Sequence, residues 1–140
     1  MPFKFLPEAA TADLALEVRT QTLEALFKTA ALAVEEAMVN TKNVAPIVEK
    51  EIILERSSIE ELLFDFLQEL IFYKDSESLF FSQFEVKIEK NKFYKLKSKI
   101  KGEELNYAKH ELRDDVKAVT MHQFQVKKNK EWFLKAILDI

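Results

Sequence analysis

The sequence predicts an α+β fold in which two helices pack on a mainly antiparallel sheet. Two stretches carry apolar residues at helical spacing, and most of the remaining chain alternates apolar and polar residues in short runs, as strands do. Short polar turns separate several of these runs, which is typical of antiparallel hairpins. The expected order is strand, strand, helix, strand, helix and four further strands, and the length suggests one domain covering residues 1–140.

The first part of the chain is predicted to form two strands and a helix. Residues 3–6 are expected to form a short strand, which a connection over residues 7–11 joins to a half-buried strand over residues 12–18. Thr20 or Thr22 is suited to be the N-cap of the first helix, because a threonine hydroxyl accepts a hydrogen bond from a backbone N–H of the first turn.

A second helix is predicted to follow an extended segment. The first helix is expected to end near Val39, and residues 44–56 are predicted to be extended. Ser57 and Ser58 each precede a glutamate by three residues, which matches the capping box at a helix start. The helix that follows has a wide apolar stripe, which is expected to belong to the core and consists of Ile59, Leu62, Leu63, Phe66, Leu67, Leu70 and Ile71.

The C-terminal half is predicted to form two hairpins separated by a polar loop. The first hairpin joins strands over residues 84–88 and 94–100, and the loop covers residues 102–114. The second hairpin joins residues 115–124, which are rich in β-branched and apolar side chains, to residues 132–140. We expect the strand over residues 115–124 to be largely buried and this last hairpin to form the centre of the fold.

The scarcity of glycine and the absence of cysteine exclude several classes of function. A single glycine argues against glycine-rich phosphate-binding loops. Without cysteine there are no disulfides, thiol nucleophiles or thiolate metal sites. The chain starts without a signal-peptide pattern and has no apolar run of membrane-spanning length, so the expected location is cytoplasmic, without membrane contact.

Charge is distributed unevenly along the chain. Residues 1–82 carry a net charge of −8 and residues 83–140 a net charge of +5. Much of the basic excess lies on the first C-terminal hairpin, at Lys87, Lys90, Lys92, Lys95, Lys97, Lys99 and Lys101. The favoured interpretation is a solvated strand face whose lysines oppose aggregation. A surface that binds nucleic acid is the alternative.

Neither histidine lies in a pattern that predicts a catalytic or zinc site. His110 falls in the polar loop and His122 in a strand, and their separation does not match the spacing of zinc ligands. A structural, hydrogen-bonded role is favoured for both. No serine–histidine–aspartate or cysteine–histidine arrangement can be assigned, which argues against a free-standing enzyme.

Asp13 and Asp139 differ from most other carboxylates, which lie on the polar faces of the helices. Asp13 follows a run of small residues near the start of a strand, and Asp139 follows two apolar residues of the last strand. If these strand ends meet, both side chains and the terminal carboxylate of Ile140 converge, and three oxygen donors suit a hard cation such as Ca²⁺, Mg²⁺ or Mn²⁺. From the residues alone a simpler interpretation is favoured, in which Asp13 accepts hydrogen bonds in a turn and the chain end is solvated.

Several short segments occur in an order and spacing that is characteristic of one protein family. They are Thr11-Ala12-Asp13, Thr22-Leu23-Glu24-Ala25-Leu26-Phe27, Leu62-Leu63 with Phe66-Leu67-Gln68-Glu69-Leu70, Gly102-Glu103 with His110, Val116-Lys117-Ala118-Val119-Thr120-Met121-His122, and Trp132 with Asp139-Ile140. In these segments the chain resembles the archease family over nearly its whole length. Ala10 departs from the family pattern at a position that is usually histidine, whereas Asp13 and Asp139 match it.

The resemblance implies a protein cofactor and not an enzyme. Archease activates the RtcB-type RNA ligase in tRNA splicing, by promoting GTP-dependent guanylylation of the ligase and by helping it to turn over repeatedly. The acidic metal site of the family would correspond here to Asp13, Asp139 and the carboxylate of Ile140, and its signature lysine to Lys117. Contact with RNA is expected to be indirect or weak. A chaperone-like role towards a tRNA methyltransferase is the alternative that the resemblance implies.

Overall fold

Antiparallel sheets and two helices make up the part of the chain that the computed structural model describes, residues 2–6 and 13–140. The elements are, in chain order, β1 (Phe3–Leu6), β2 (Asp13–Thr20), α1 (Leu23–Met38), a short 3₁₀ helix (Thr41–Asn43), β3 (Val48–Arg56), α2 (Ile59–Glu77), β4 (Leu79–Lys90), β5 (Tyr94–Glu104), β6 (Ala118–Lys128) and β7 (Trp132–Asp139). The predicted α+β class and the order of strands and helices are confirmed. The connection predicted over residues 7–11 lies outside the described residues.

The strands divide between two sheets instead of forming one. A four-stranded sheet has the order β1-β2-β7-β6 and a three-stranded sheet has the order β3-β5-β4, with antiparallel neighbours throughout. Helices α1 and α2 contact each other and strands of both sheets, so their apolar stripes share one core. The stripe of α2 is buried as predicted, at Leu62, Leu63, Phe66, Leu67, Leu70 and Ile71.

Hydroxyl side chains cap both helices at the positions where the sequence places candidates. Thr22 is the cap of α1, since its hydroxyl oxygen accepts a hydrogen bond from the Ala25 N–H at 3.1 Å. Thr20, the other candidate, instead donates to the Thr22 carbonyl oxygen at 2.8 Å. Ser58 caps α2 by accepting from the Glu61 N–H at 3.2 Å. Local side-chain chemistry therefore determines where each helix begins.

Gly102 lies within a strand, and its assignment to the polar loop is wrong. Strand β5 continues through Gly102 to Glu104, and Gly102 pairs with Phe81 next to a register shift in β4. A Cβ atom at this position would lie 1.8 Å from the carbonyl oxygen of Phe80. The backbones approach so closely that only glycine fits, which a polar sequence context does not reveal.

The last hairpin includes an edge strand of its sheet and does not form the centre of the fold. The prediction of a largely buried strand over residues 115–124 is also wrong. Strand β7 is internal, but β6 is an edge strand that begins at Ala118 and has many exposed residues. Between Thr120 and Gln125 the register with β7 shifts, and Gln123 has a positive φ of 58°. This bulge reorients the middle of β6, so the apolar run reflects one buried face and not a buried strand.

Neither described helix combines the length and the apolar character that crossing a membrane requires.

Candidate acidic site at the end of the four-stranded sheet

Asp13 and Asp139 lie directly opposite each other at one end of the four-stranded sheet. They are register partners in the antiparallel pair of β2 and β7, and Ala118 of β6 is the partner of Asp139 on its other side. Direct partners project from the same face of a sheet, with Cβ atoms about 4.5–5.5 Å apart. Both aspartates are half-buried. The fold thus brings together two carboxylates from the two ends of the chain.

Lys117 and Ile140 flank this pair. The Lys117 N–H donates to the Asp139 carbonyl oxygen at 2.7 Å, which holds the backbone of Lys117 beside the end of β7. The Lys117 side chain is exposed and has no carboxylate within 4.0 Å among the described residues. Ile140, the residue after Asp139, is half-buried and packs against the core.

The donors at this end of the sheet fit a hard cation but do not surround one. Carboxylate oxygens are the ligands that Ca²⁺, Mg²⁺ and Mn²⁺ prefer, and no nitrogen or sulfur donor is part of the pair. Among the described residues there is no group of three or more His, Cys, Asp or Glu side chains that could hold a metal ion. A cation at Asp13 and Asp139 would therefore need further oxygen ligands from the Ile140 carboxylate, water or a bound partner.

Lys74, near the end of α2, anchors the segment that leads to Lys117. Its Nζ atom donates to the Val116 carbonyl oxygen at 2.8 Å and pairs with Oδ1 of Asp115 at 2.5 Å and Oδ1 of Asp75 at 2.7 Å. Burial alone would lower the pKa of Lys74, but the hydrogen bonds and charges of Asp115 and Asp75 outweigh it and raise the pKa. The lysine therefore stays charged and holds the backbone just before Lys117.

Residues 111–116, which we call the strap, are also fastened to the end of α1. The Arg113 and Asp114 N–H groups donate to the carbonyl oxygens of Met38 and Ala37 at 2.8 and 3.0 Å. The Arg113 guanidinium binds Oε2 of Glu36 at 2.7 Å. These contacts satisfy carbonyl groups that a helix end leaves without partners. The strap thus connects the ends of both helices to the acidic site.

His110 has a structural role in this region, as the sequence favours. Oε1 of Glu103 accepts from the Ala45 N–H at 3.0 Å, from Lys109 Nζ at 2.6 Å and from His110 Nε2 at 2.7 Å. His110 Nδ1 in turn accepts from the Asn106 N–H at 3.0 Å, so the ring carries its proton on Nε2. Burial opposes ionisation of Glu103, but these donors outweigh it and lower its pKa to about 2.

Sequence reasoning missed Lys74, the strap and a buried carboxyl group at Glu35. Glu35 of α1 is fully buried, its Oε1 accepts from the Phe81 N–H at 3.2 Å, and its Oε2 has no hydrogen-bond partner among the described residues. Burial raises the pKa of Glu35 well above its ordinary value. Its position four residues after buried Ala31, inside the apolar stripe of α1, is a signal that could have identified it. No comparable local signal exists for Lys74.

The sequence and the fold have counterparts among known proteins. The model of the Archease protein family (MTH1598/TM1083) matches residues 3–140. This chain belongs to the archease family. It is 39% identical over 133 residues to Protein archease of Pyrococcus abyssi, with 93% of this chain and 94% of the relative covered. Protein archease of Sulfolobus acidocaldarius is 39% identical over 131 residues, again covering 93% and 94% of the two chains.

Solved archease-like structures agree with the fold of this family member. The solution structure of a Methanobacterium thermoautotrophicum protein aligns with a TM-score of 0.85 at 35% identity and covers 99% of both chains. The crystal structure of an archease from Thermotoga maritima, described as a possible chaperone, aligns with a TM-score of 0.64 at 21% identity and covers 96% of both chains. The second likeness supports the archease fold alone.

Proposed function

We propose that this archease-family protein activates an RtcB-type RNA ligase. In this role it promotes GTP-dependent guanylylation of the ligase and repeated turnover in tRNA splicing or RNA repair, and it performs no catalysis of its own. The observation that supports the proposal is the direct pairing of Asp13 with Asp139 at one end of the sheet, with the exposed Lys117 held beside them.

The incomplete set of oxygen ligands suits a site that acts together with a partner. Mg²⁺ is usually bound by one or two carboxylates together with substrate phosphates, and not by an all-protein cage. A divalent cation bound here would supply positive charge that stabilises negative charge on a nucleotide phosphate of the ligase. Asp13, Asp139 and the Ile140 carboxylate are the groups that would hold it, and their mutual repulsion favours its binding.

In this proposal Lys117 acts on the partner and not within the fold. Its backbone is held by Asp139, and the strap fixes the residue before it through Lys74. Its side chain is exposed. It can therefore contact a phosphate or an acidic group of the ligase in the complex.

The test is guanylylation of the cognate ligase by GTP with Mg²⁺ or Mn²⁺, with and without this protein. Asp13→Asn and Asp139→Asn preserve side-chain size and remove one negative charge each, and we expect both to abolish stimulation while the variants remain folded. Glu17→Gln is the matched control, because it changes a half-buried acidic residue of the same strand β2 away from the pair. No stimulation by the wild-type protein would refute the activator role, and stimulation by both aspartate variants would refute the role of the acidic site.

A chaperone-like role towards a tRNA methyltransferase is the second candidate. It is supported by large apolar side chains on the surface, including Ile47 at 72%, Tyr107 at 81% and Met121 at 62% exposure. It is also supported by the description of the Thermotoga maritima archease as a possible chaperone. Such a role needs no cation, so suppression of methyltransferase aggregation that persists in Asp13→Asn, without any effect on the ligase, would favour it.

A further inference from the structure

A groove at the far end of the four-stranded sheet, which we call the basic groove, has no role in the proposed function. It has a volume of about 400 Å³ and is lined by Arg19, Lys127, Asn129, Lys130, Glu131 and Phe133. Thr20 pairs with Trp132 at this end of β2 and β7, whereas Asp13 pairs with Asp139 at the other. At about 3.4 Å per residue, the length of β2 separates the two ends by roughly 24 Å.

Two of the three cations that line the basic groove have no close carboxylate among the described residues. Lys127 and Lys130 have no carboxylate within 4.0 Å in the described part of the chain. Arg19 lies 3.6 Å from Glu131 and 4.0 Å from Glu17, which is longer than a hydrogen-bonded ion pair. Since the whole chain has a net charge of −3, attraction of a polyanion has to come from a local patch such as this one.

The lysine-rich hairpin predicted as the alternative nucleic-acid surface differs from the groove in the charges that its neighbouring strands carry. Strand β5 is the central strand of its sheet, so glutamates of β3 and β4 lie on both sides of its lysines. Lys95 lies between Glu55 and Glu89, and Lys99 lies between Glu51 and Glu85.

We call a lysine of β5 together with its partners on β3 and β4 a row, and one row has no glutamate. Lys97 pairs with Lys87 on one side and Ile53 on the other. The neighbouring rows on either side of this pair carry the four glutamates, so its positive charge is surrounded by negative charge.

The basic groove also contains a flat cationic surface. The guanidinium carbon of Arg19 lies 4.5 Å from the centroid of the half-buried Phe133 ring. Arg19 is exposed, so the guanidinium face that points away from the ring is accessible. Nucleobases stack on arginine planes as well as on aromatic rings. A stacked base at Arg19 would place its sugar and phosphates within the same groove as Lys127 and Lys130.

We propose that the basic groove binds single-stranded RNA, with a base stacked on Arg19 and the adjacent phosphates contacted by Lys127 and Lys130. An acidic peptide would pair with the lysines, but aspartate and glutamate side chains have no aromatic ring to stack on the guanidinium surface, so RNA uses more of the groove. The groove would then hold an RNA segment while the acidic site, at the opposite end of the sheet, contacts the ligase. RNA binding by this groove does not depend on the ligase or on a cation.

The experiment measures the affinity of the full chain for a fluorescent oligouridylate of about eight nucleotides by anisotropy at several salt concentrations. Lys127→Ala with Lys130→Ala should weaken binding at least tenfold and make the slope of log affinity against log salt shallower by about 1.4, since each phosphate contact to a single strand contributes about 0.7. The matched control is Lys95→Ala with Lys99→Ala, which removes the same charge from a face where glutamates lie on both sides of the lysines, and it should change the affinity less than twofold. Circular dichroism establishes that each variant is folded.

Two further variants test other parts of the proposal. One separates base stacking from charge attraction, and the other separates RNA binding from ligase activation. Arg19→Lys keeps the charge but removes the planar surface, so it should weaken binding severalfold with an unchanged salt slope. Asp13→Asn should bind RNA like the wild type, which keeps this result independent of the ligase test. The proposal is wrong if the wild type does not bind at low salt, if the control double variant weakens binding equally, or if polyglutamate competes as well as unlabelled RNA.

Discussion

The free energy of unfolding is expected to depend on pH through the buried carboxyl group of Glu35. Its side chain is fully buried between α1 and β4, with one oxygen accepting from the Phe81 N–H and the other without a partner among the described residues. Burial raises its pKa well above the ordinary value of 4.5, although the Phe81 N–H and the charge of Lys74 act in the opposite direction. Between the unfolded pKa and the raised folded pKa, the folded protein therefore carries a proton at Glu35 that the unfolded chain has released.

The sign and the slope follow from this difference in bound protons. A raised pKa contributes stability that is fully present below the unfolded pKa and is lost as the pH rises towards the folded pKa. Within that window unfolding releases one proton, so Glu35 lowers the free energy of unfolding by about 1.4 kcal/mol for each pH unit. Glu35→Gln keeps an oxygen for the Phe81 N–H and has no proton to release. The variant should therefore gain stability relative to the wild type as the pH rises.

Urea unfolding of both proteins between about pH 5 and pH 8 measures this difference directly. The gap between the variant and the wild type should widen by about 1.4 kcal/mol per pH unit up to the folded pKa and then level off. Glu24→Gln, an exposed change on the same helix, controls for the altered net charge. Parallel stability curves for Glu35→Gln and the wild type would show that Glu35 is ionised in the folded state and would refute the reasoning.

Three other substitutions test separate parts of the structure. Gly102→Ala should destabilise the protein by roughly 1–3 kcal/mol in urea unfolding, because the new methyl group meets the Phe80 carbonyl oxygen at 1.8 Å; an unchanged midpoint would contradict the close approach. Lys74→Met should speed hydrogen exchange of the strap amides and reduce ligase stimulation although the aspartates are intact, whereas unchanged exchange would mean that Lys74 does not anchor the strap. Glu103→Gln should lower the melting temperature more at about pH 7 than at about pH 3, because a lowered pKa contributes stability above 4.5 that is lost as the pH falls towards about 2; an equal effect at both pH values would exclude an ionised Glu103.

The helices and most strand segments could be predicted because their signals are local. Thr22 and Ser58 cap the helices through contacts with residues three positions later, and the stripe of α2 follows helical spacing along one segment. The loop assignment of Gly102 and the predicted burial of β6 were wrong because a neighbouring strand determines the structure at both places. A close backbone approach and an edge position with a bulge depend on the partner strand and not on the residues themselves.

The sequence alone identified Asp13, Asp139 and Lys117 as candidates, and their metal and ligase roles stay predictions. Their proximity depends on β7 lying between β2 and β6 in one sheet, which is a property of strand order and not of local pattern.

The amino-acid sequence by itself therefore determined most helices and strands of this protein, since capping and periodicity operate over a few neighbouring residues. Tertiary structure decided the charge of each surface. It placed the glutamates of β3 beside the lysines of β5, and it placed Lys127 and Lys130 where neither has a carboxylate within 4.0 Å among the described residues. The reason is physical: electrostatic interactions act between side chains that are close in space, and only the packing of distant segments around the common core determines which charges meet.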